Sequence, residues 1–494
     1  MHRLSQHLSI ILSLITIHCC VAAPSRICAD ISSRLPGKVT YPGDEAYNIS
    51  EKSYAYANQQ TQQPSCIVQP TTTEDVATAV KLLKKAPQVS FAVRSGGHAT
   101  NRGFSNIDGG VTLDLTAING VKIQGDGVTV SVGTGASWGD VYLVLDAAKR
   151  SLNGGRASGV GVGGFLTGGG IGFFALKNGF GCDAVTNVEI VLPNGSIINA
   201  NAKSHRDLFV AIKGGANNFG IVTRWDIKTI SKGKIWGGGV IYPNATVPAQ
   251  LDAFTKWKNP ANFDSASSVE QSYVYIGSMK QWLVSNSLIY TEPVAYPKDL
   301  KVFTDIQPQI ANTLRFSNVT DFADEIQSQS TPDQYTIFAT TTVKISPTIL
   351  TKVHALWQAA VSRMAANNAT ITSSLTLQSI PAPPSDPSRA NSLGFNPSST
   401  PQKDLVLVLC SSFWADPAVG TQVKTAVAGF INDAENAARK EGVLQNFKYP
   451  NYAAADFQNP LKSNGVRDWL RVVALKYDCT GLFRRQVVGG WKLY

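Results

Sequence analysis

Arg94, Ser95, Gly96, Gly97 and His98 form an unbroken run, R-S-G-G-H, in a chain that holds only six histidines. Two residues without side chains let the backbone turn sharply and approach a ligand closely. An imidazole delivered at the end of such a turn is placed to touch that ligand, and a histidine needed only for packing requires no such approach. Glycine clusters again at 154–172 and at 214–220. Consecutive bare amides form nests that hold anions such as a pyrophosphate, and they leave room for a flat ring. G-V-G-V-G-G at 159–164 satisfies G-x-G-x-x-G. It does not follow a strand and open a helix, so it is not read as a Rossmann dinucleotide turn. No G-x-x-x-x-G-K-[ST] run occurs. Three clusters in one stretch of chain point to a large, phosphate-bearing ligand.

The elements around these runs read as alternating strands and helices. "CIVQP" is a short strand and "TTEDVATAVKLLKKA" a helix capped by Thr73, with Val76, Val80 and Leu83 on one face. "VSFAV" (89–93) then delivers the chain into the turn at His98. Before this β-α-β start lies a polar arm reaching about Pro64. "GGVTLDL" and "GVTVSVG" are two further strands, "SWGDVYLVLDAAKR" a helix, and Asn194-Gly195 the turn of a hairpin. From 236 to 444 glycine thins and longer patterns appear, such as "TIFATTTVKI" and "VHALWQAAVSRMAA". A Pro/Ser-rich stretch within it, "APPSDPSRANSLGFNPSSTPQ", reads as a rim or lid loop. The expected organisation is a leader over 1–22, a ligand-binding domain over 23–235 (core 62–233), a second domain over 236–444, and a segment over 445–494 that returns to the first domain.

Composition narrows the function. The 494 residues are 43% hydrophobic and 16% charged, enough for a large core. Leu8–Ile17 is an apolar stretch behind His2 and Arg3, with small residues after it, and reads as a signal peptide cleaved after Ala22. It is too short to span a membrane, and no later stretch is long enough. Secretion permits disulfides, and Cys28–Cys66 is the expected pair. Cys182, Cys410 and Cys479 remain, Cys182 as a small buried thiol. No C-x-x-C pair occurs, so no metal site is expected. Sequons stand at Asn48, Asn194, Asn244, Asn318 and Asn368. The net charge of +10 is scattered and reads as a solvated surface, not a nucleic-acid footprint.

R-S-G-G-H at 94–98, V-G-V-G-G-F-L-T-G-G-G-I-G at 160–172, G-G-A-N-N-F-G-I-V-T at 214–223 and Y-P-N-Y at 449–452 occur in order. Together they resemble the berberine bridge enzyme-like flavoproteins of the vanillyl-alcohol oxidase superfamily, with a PCMH-type FAD-binding domain. The resemblance runs from about residue 60 to the end and is densest over 66–230. It implies an α+β, two-domain fold: an FAD-binding domain of two small α+β subdomains, and a substrate domain with an antiparallel sheet covered by helices.

The resemblance also implies FAD bonded covalently at its 8α-methyl to His98. It assigns cofactor contacts to Arg94, Ser95, Gly96, Gly97, Ser158, Val160, Gly161, Gly164, Gly168, Gly169, Gly170, Gly220, Ile221, Val222 and Asn451. Many relatives carry a second link from a cysteine in C-x-x-V-G-x-G-G-H. Here Ala157 occupies the cysteine's place and Phe165 the histidine's, which rules out that link. In the same motif Val160 falls where oxygen reaches the ring. Relatives with valine there tend to react with oxygen, so Val160 is the expected oxygen gate, and a β-branched spacer among glycines is the plain alternative. The base is a tyrosine near Y-x-N-Y or an acid on the substrate sheet. Tyr449 and Tyr452 match the motif, either as base or as packing under the flavin. A free tyrosine titrates near 10 and needs a cationic or hydrogen-bonding environment to serve as base. The expected reaction is oxidation of a small, specialised metabolite, with O2 as acceptor and H2O2 released, by a monomer without nucleic-acid or membrane partners. A cyclase with a mainly structural FAD and a carbohydrate oxidase are the alternatives.

Overall fold

The computed structural model describes residues 23–260, 264–366, 370–382, 385–395 and 404–494. The expected leader over 1–22 and the sequon at Asn368 lie outside the described residues. Three larger sheets organise the described residues, beside a two-stranded one that pairs Arg150–Ser151 with Ile230–Ser231. The first is built on the parallel strands Cys66–Val68, Val111–Asp114 and Phe91–Arg94, with Val111–Asp114 in the middle. Helix Thr73–Lys84 connects two of them and buries Val76, Val80 and Leu83 against the sheet. Its cap is Thr72, one residue earlier than expected, which exchanges bonds with Asp75 in a capping box. Thr73 instead bonds Glu189 and Thr223 of the neighbouring sheet.

The second sheet has five antiparallel strands. It includes Thr129–Gly133, Val185–Val191 and Ile221–Lys228. The two sequence neighbours "GGVTLDL" and "GVTVSVG" therefore part company: the first completes the parallel sheet and the second enters the antiparallel one. The hairpin turn at Asn194-Gly195 is present, with Gly195 at φ +78°.

The third sheet has nine antiparallel strands. One face is covered by helices Val247–Trp257, Pro347–Ala365 and Gly420–Lys440, whose apolar stripes bury Phe254, Trp357 and Phe430. Period-2 alternation sends the other residues of each strand to the opposite face, toward the glycine-rich half. This is a two-domain α+β fold with a helix-covered antiparallel sheet.

Two expectations change. The polar arm before Pro64 is helical over Ala23–Arg34, Glu45–Lys52 and Ala57–Gln60. Its sparse apolar residues, such as Ile27 and Ile31, are enough to seat it, and Cys28–Cys66 ties it to the parallel sheet. The Pro/Ser-rich stretch is no open rim over its described part. Leu393 is fully buried beside Gly169 and Gly214, and Asn391 and Arg389 bond Asp183. Cys182 and Cys410 are buried free thiols and Cys479 is exposed. Among the described residues no helix is long and apolar enough to cross a membrane.

Candidate functional site

A cavity of about 890 Å³ lies between the glycine-rich half and the open face of the nine-stranded sheet. His98 lines it. Its ring stands edge-on to Tyr56, with centroids 5.1 Å apart at 82°. Burial pushes the His98 pKa down, so the imidazole is neutral at physiological pH and keeps a free nitrogen lone pair.

The wall around His98 is backbone against backbone. A Cβ on Gly96 would fall 2.5 Å from Gly161 Cα, and one on Gly161 would fall 2.3 Å from Gly96 N. The 94–98 and 160–164 runs thus touch at a point where no side chain fits. Ser95 Oγ binds them further, donating to the Thr134 carbonyl at 2.7 Å and accepting from Gly163 N–H at 3.1 Å. Gly97, Val160, Gly168, Gly220, Ile221 and Val222 also line the cavity. Gly164 faces open space, with nothing within 4 Å of its absent Cβ.

Four of the expected contacts are not on the cavity. Val93 faces it, so strand alternation turns Arg94 the other way. Its guanidinium is buried on Ser50, Ser53 and Asp114 and stacks 3.9 Å over Tyr54. Arg94 clamps the helical arm beneath the turn. Ser158 spends its backbone on Ala323 O and Gly139 N. Gly169 and Gly170, at φ +101° and +87°, turn the chain behind Gly168 and pack on Leu393 and Phe165.

Tyr449, Asn451 and Tyr452 also line the cavity. The two tyrosine rings cross at 4.8 Å and 86°. Asn451 Nδ2 donates to the Phe165 carbonyl and to Tyr449 Oη, both at 3.1 Å. The tyrosines differ in their partners. Tyr452 Oη accepts from Arg156 Nη2 at 2.6 Å. The same guanidinium donates to Gln378 Oε1 at 2.9 Å and pairs with Glu270 at 2.9 Å. Burial raises the Tyr452 pKa, and Arg156 beside it pulls the other way. Burial also raises Tyr449, without a cation in hydrogen-bond contact. Burial opposes the Arg156 charge, but Glu270 and Tyr452 outweigh it and the net direction is up. Glu270 is raised by burial, with Arg156 opposing.

Arg156, Glu270 and Gln378 were not singled out from the sequence. Arg156 carried one signal, a lone charge in N-G-G-R-A-S beside Ala157. Glu270 carried another, an acid inside the strand Ser267–Ile276 at an alternating position shared with Ser272 and Val274.

The fold and this cavity define a two-domain FAD-dependent oxidoreductase. Residues 64–201 match the model of an FAD binding domain. The chain is 33% identical over 479 residues to the FAD-dependent monooxygenase sdcF of Emericella nidulans, covering 94% of this chain and 98% of that one. It is 30% identical over 471 residues to the bifunctional solanapyrone synthase of Alternaria solani, covering 94% and 88%. Its fold matches 6-hydroxy-D-nicotine oxidase of Arthrobacter nicotinovorans at a TM-score of 0.75 and 18% identity, over 93% and 98% of the two chains. BBE-like 1 of Physcomitrella patens matches at 0.74 and 18%, over 94% and 99%. The chain belongs to the family of FAD-linked oxidoreductases that includes these fungal relatives, and its fold is that of the berberine bridge enzyme-like structures.

The residues present fit FAD. The touching glycine runs make a wall that admits a flat ring, and Gly164 leaves an opening toward it. Ser105 Oγ, on the cavity, is buried without a partner of its own. A neutral His98 stands at one edge.

Proposed function

We propose that the protein oxidises a small specialised metabolite with O2 as the final acceptor, its FAD held by a single covalent bond from His98. When bound, FAD supplies a two-electron acceptor that oxygen regenerates with release of H2O2. His98, Ser95, Gly96, Gly97, Gly161 and Gly164 hold the cofactor. Ala157, where relatives carry a cysteine, leaves His98 as the sole tether. The observation that carries the reading is the 2.6 Å bond from Arg156 to Tyr452 in a largely buried site. Arg156 donates to the phenol oxygen, so that oxygen's own proton or lone pair is left for the substrate. Tyr452 acts as base only in its phenolate form: its own proton first leaves to solvent, Arg156 stabilises the phenolate that remains, and the phenolate then takes the substrate proton while Glu270 and Gln378 hold Arg156 in register. Asn451 ties the tyrosine segment to the glycine wall through Phe165 O.

Tyr452→Phe should lower kcat by roughly 10²–10⁴-fold with the flavin spectrum retained, the range for loss of a general base. Tyr449→Phe should change it less than that. Wild-type turnover by Tyr452→Phe would remove the assignment. Acid-denatured wild type should keep its yellow colour on the His98 peptide, and His98→Ala should release it.

The names of two structural neighbours bear on oxygen. Wild-type Phl p 4 is a glucose dehydrogenase, and a variant with one isoleucine replaced by valine is a glucose oxidase. One methylene separates those two activities, and Val160, which lines the cavity, is the residue proposed as such a gate here. The relatives named FAD-dependent monooxygenases favour one second reading, insertion of an oxygen atom into the substrate. Labelled O2 separates the two: oxidation sends the label to H2O2, monooxygenation to the product.

We also propose that the chain is secreted as a glycosylated monomer after loss of residues 1–22. The Cys28–Cys66 disulfide and the exposed Asn48, Asn194, Asn244 and Asn318 support this. N-terminal sequencing and glycosidase shifts of the secreted protein test it.

A further inference from the structure

Three adjacent strands of the large sheet bring a row of hydroxyls to the cavity. In strand Ser267–Ile276 the residues Glu270, Ser272 and Val274 share the cavity face. Strand Thr372–Ser379 runs antiparallel beside it, pairing Glu270 with Gln378, Ser272 with Thr376 and Val274 with Ser374. Ser374 in turn pairs with Ser411 on strand Leu405–Trp414. The first rung is the one that holds Arg156 and, through it, Tyr452. The second carries Ser272 Oγ and Thr376 Oγ1 at 2.8 Å, and the third carries Ser374 Oγ and Ser411 Oγ at 2.6 Å. Each hydroxyl pair uses one proton internally and keeps one for a ligand, together with unused lone pairs. A strand rises 3.3–3.4 Å per residue, so the two pairs lie roughly 7 and 13 Å along the sheet from the Arg156 rung.

Beside these hydroxyls the cavity carries the apolar Val274, Leu283, Phe338 and Phe413, with Ser285 and Thr372 adding two more hydroxyls. Among the described residues lining the cavity, Arg156 and Glu270 are the only Asp, Glu, Lys or Arg side chains, and they neutralise each other at 2.9 Å. A carboxylate or ammonium entering here would lose its water and meet no unpaired counter-charge. A free sugar would set part of its hydroxyls against the apolar Val274, Leu283, Phe338 and Phe413, where they lose water without a partner.

We infer that the substrate is an uncharged, elongated, largely apolar molecule that carries hydroxyl or carbonyl oxygens along one edge, spaced to meet the Ser272–Thr376 and Ser374–Ser411 pairs while its reacting end faces Tyr452. This rests on the reading of Tyr452 and Arg156 as the reacting end.

The test is binding, not turnover. The probes are para-phenylbenzyl alcohol and its derivatives bearing hydroxyl, carboxylate or aminomethyl at the far para position, with cellobiose beside them. Dissociation constants come from the shift of the flavin's visible absorption in the holoenzyme, checked by tryptophan fluorescence. The far-hydroxyl alcohol should bind about tenfold more tightly than the parent, the share of one net hydrogen bond. The two charged derivatives and cellobiose should bind at least tenfold more weakly. Ser374→Ala with Ser411→Ala should erase the hydroxyl advantage and leave the parent's constant unchanged, with melting temperature and flavin spectrum as checks on folding. If the double variant does not fold, Ser411→Ala alone should give a partial loss. A charged derivative or cellobiose that binds as well as the far-hydroxyl alcohol overturns the inference. So does an advantage that survives the alanines. Tyr452→Phe separates this from the function itself: it should keep the binding order and lose turnover. Retained turnover with the same order would sink the base assignment and leave the substrate class standing.

Discussion

The two walls of the cavity are built by opposite means. The glycine wall is backbone, made by short runs that all lie within residues 94–222, and its contacts exist because side chains are missing: Gly96 and Gly161 meet at their own main chains. The opposite wall is side chain, and its reacting end joins parts of the chain far apart: Arg156 reaches Glu270, Gln378 and Tyr452. The first kind of wall tolerates no added atom and the second tolerates no removed one.

The largest effect should come from removing Arg156. Arg156→Met leaves Glu270 largely buried without its partner and Tyr452 without its donor. Breaking such a pair costs about 3–5 kcal/mol of stability, read by urea unfolding. Activity should fall at least as far as in Tyr452→Phe. Arg156→Lys should recover part of the stability but little activity, since an ammonium cannot match the fork that bonds Glu270 and Tyr452 together. Equal behaviour of Met and Lys variants would mean that the charge pair does not organise this wall.

The glycine wall should fail by addition. A Cβ on Gly96 meets main chain at 2.5 Å, which cannot swing aside, so Gly96→Ala should destabilise the fold by about 1–3 kcal/mol or more. Gly164→Ala meets nothing within 4 Å of the protein and should melt as the wild type does. Its methyl points into the cavity, so its defect should appear in flavin content, read by the ratio of visible to protein absorption. If Gly164→Ala loads flavin normally, the opening at Gly164 is not part of the cofactor seat.

The same contrast explains what the sequence disclosed. R-S-G-G-H and the 160–172 run state their geometry locally, because a residue without a side chain has few other reasons to recur, and His98 lies on the cavity that they line. Arg94, inside the same motif, lies off the cavity because alternation along Phe91–Arg94 turns its side chain to the far face. Gly169 and Gly170 form a positive-φ turn behind the lining, and such a turn looks, in sequence, like the wall itself. Tyr452 was legible only as one of two candidates. What separates it from Tyr449 is a cation 296 residues away, and nothing in Y-P-N-Y points to Arg156. The α+β class followed from hydrophobic periodicity and family motifs. The split of two neighbouring strands between sheets did not, since pairing partners are set by contacts distant in sequence.

Behind the side-chain wall the covering helices hold a pH-sensitive group. His354 sits in the core between Tyr273, at 4.6 Å, and Trp357, with Nε2 lacking a partner. Burial pushes its pKa down to about 4. The folded value lies below the unfolded one near 6.5, so the unfolded chain takes up the proton first. Stability is full above pH 6.5 and is lost as pH falls toward 4, by about 2–3 kcal/mol from this group. His354→Leu should flatten that part of the stability curve, measured by melting between pH 4 and 7. An unchanged slope would place the acid sensitivity elsewhere.

The smallest expected effect lies where the two walls meet. Val160 lines the cavity on the glycine side, and its backbone is fixed at both ends. Its carbonyl accepts from Trp138 N–H at 3.0 Å, its own N–H reaches Ala157 O at 3.3 Å, and the preceding Gly159 N–H is held by Gln327 Oε1 at 2.9 Å. A leucine here cannot retreat with its main chain, so the extra methylene must enter the cavity, where space for O2 is the first thing it removes. Val160→Leu should slow reoxidation of the substrate-reduced enzyme by about tenfold, an added barrier of about 1.4 kcal/mol. Reduction by substrate should change by less than twofold. Stopped-flow absorbance at varied oxygen reads both halves separately. Equal slowing of both halves would make Val160 a packing residue between the walls, and sluggish reoxidation in the wild type would remove oxygen as the acceptor altogether.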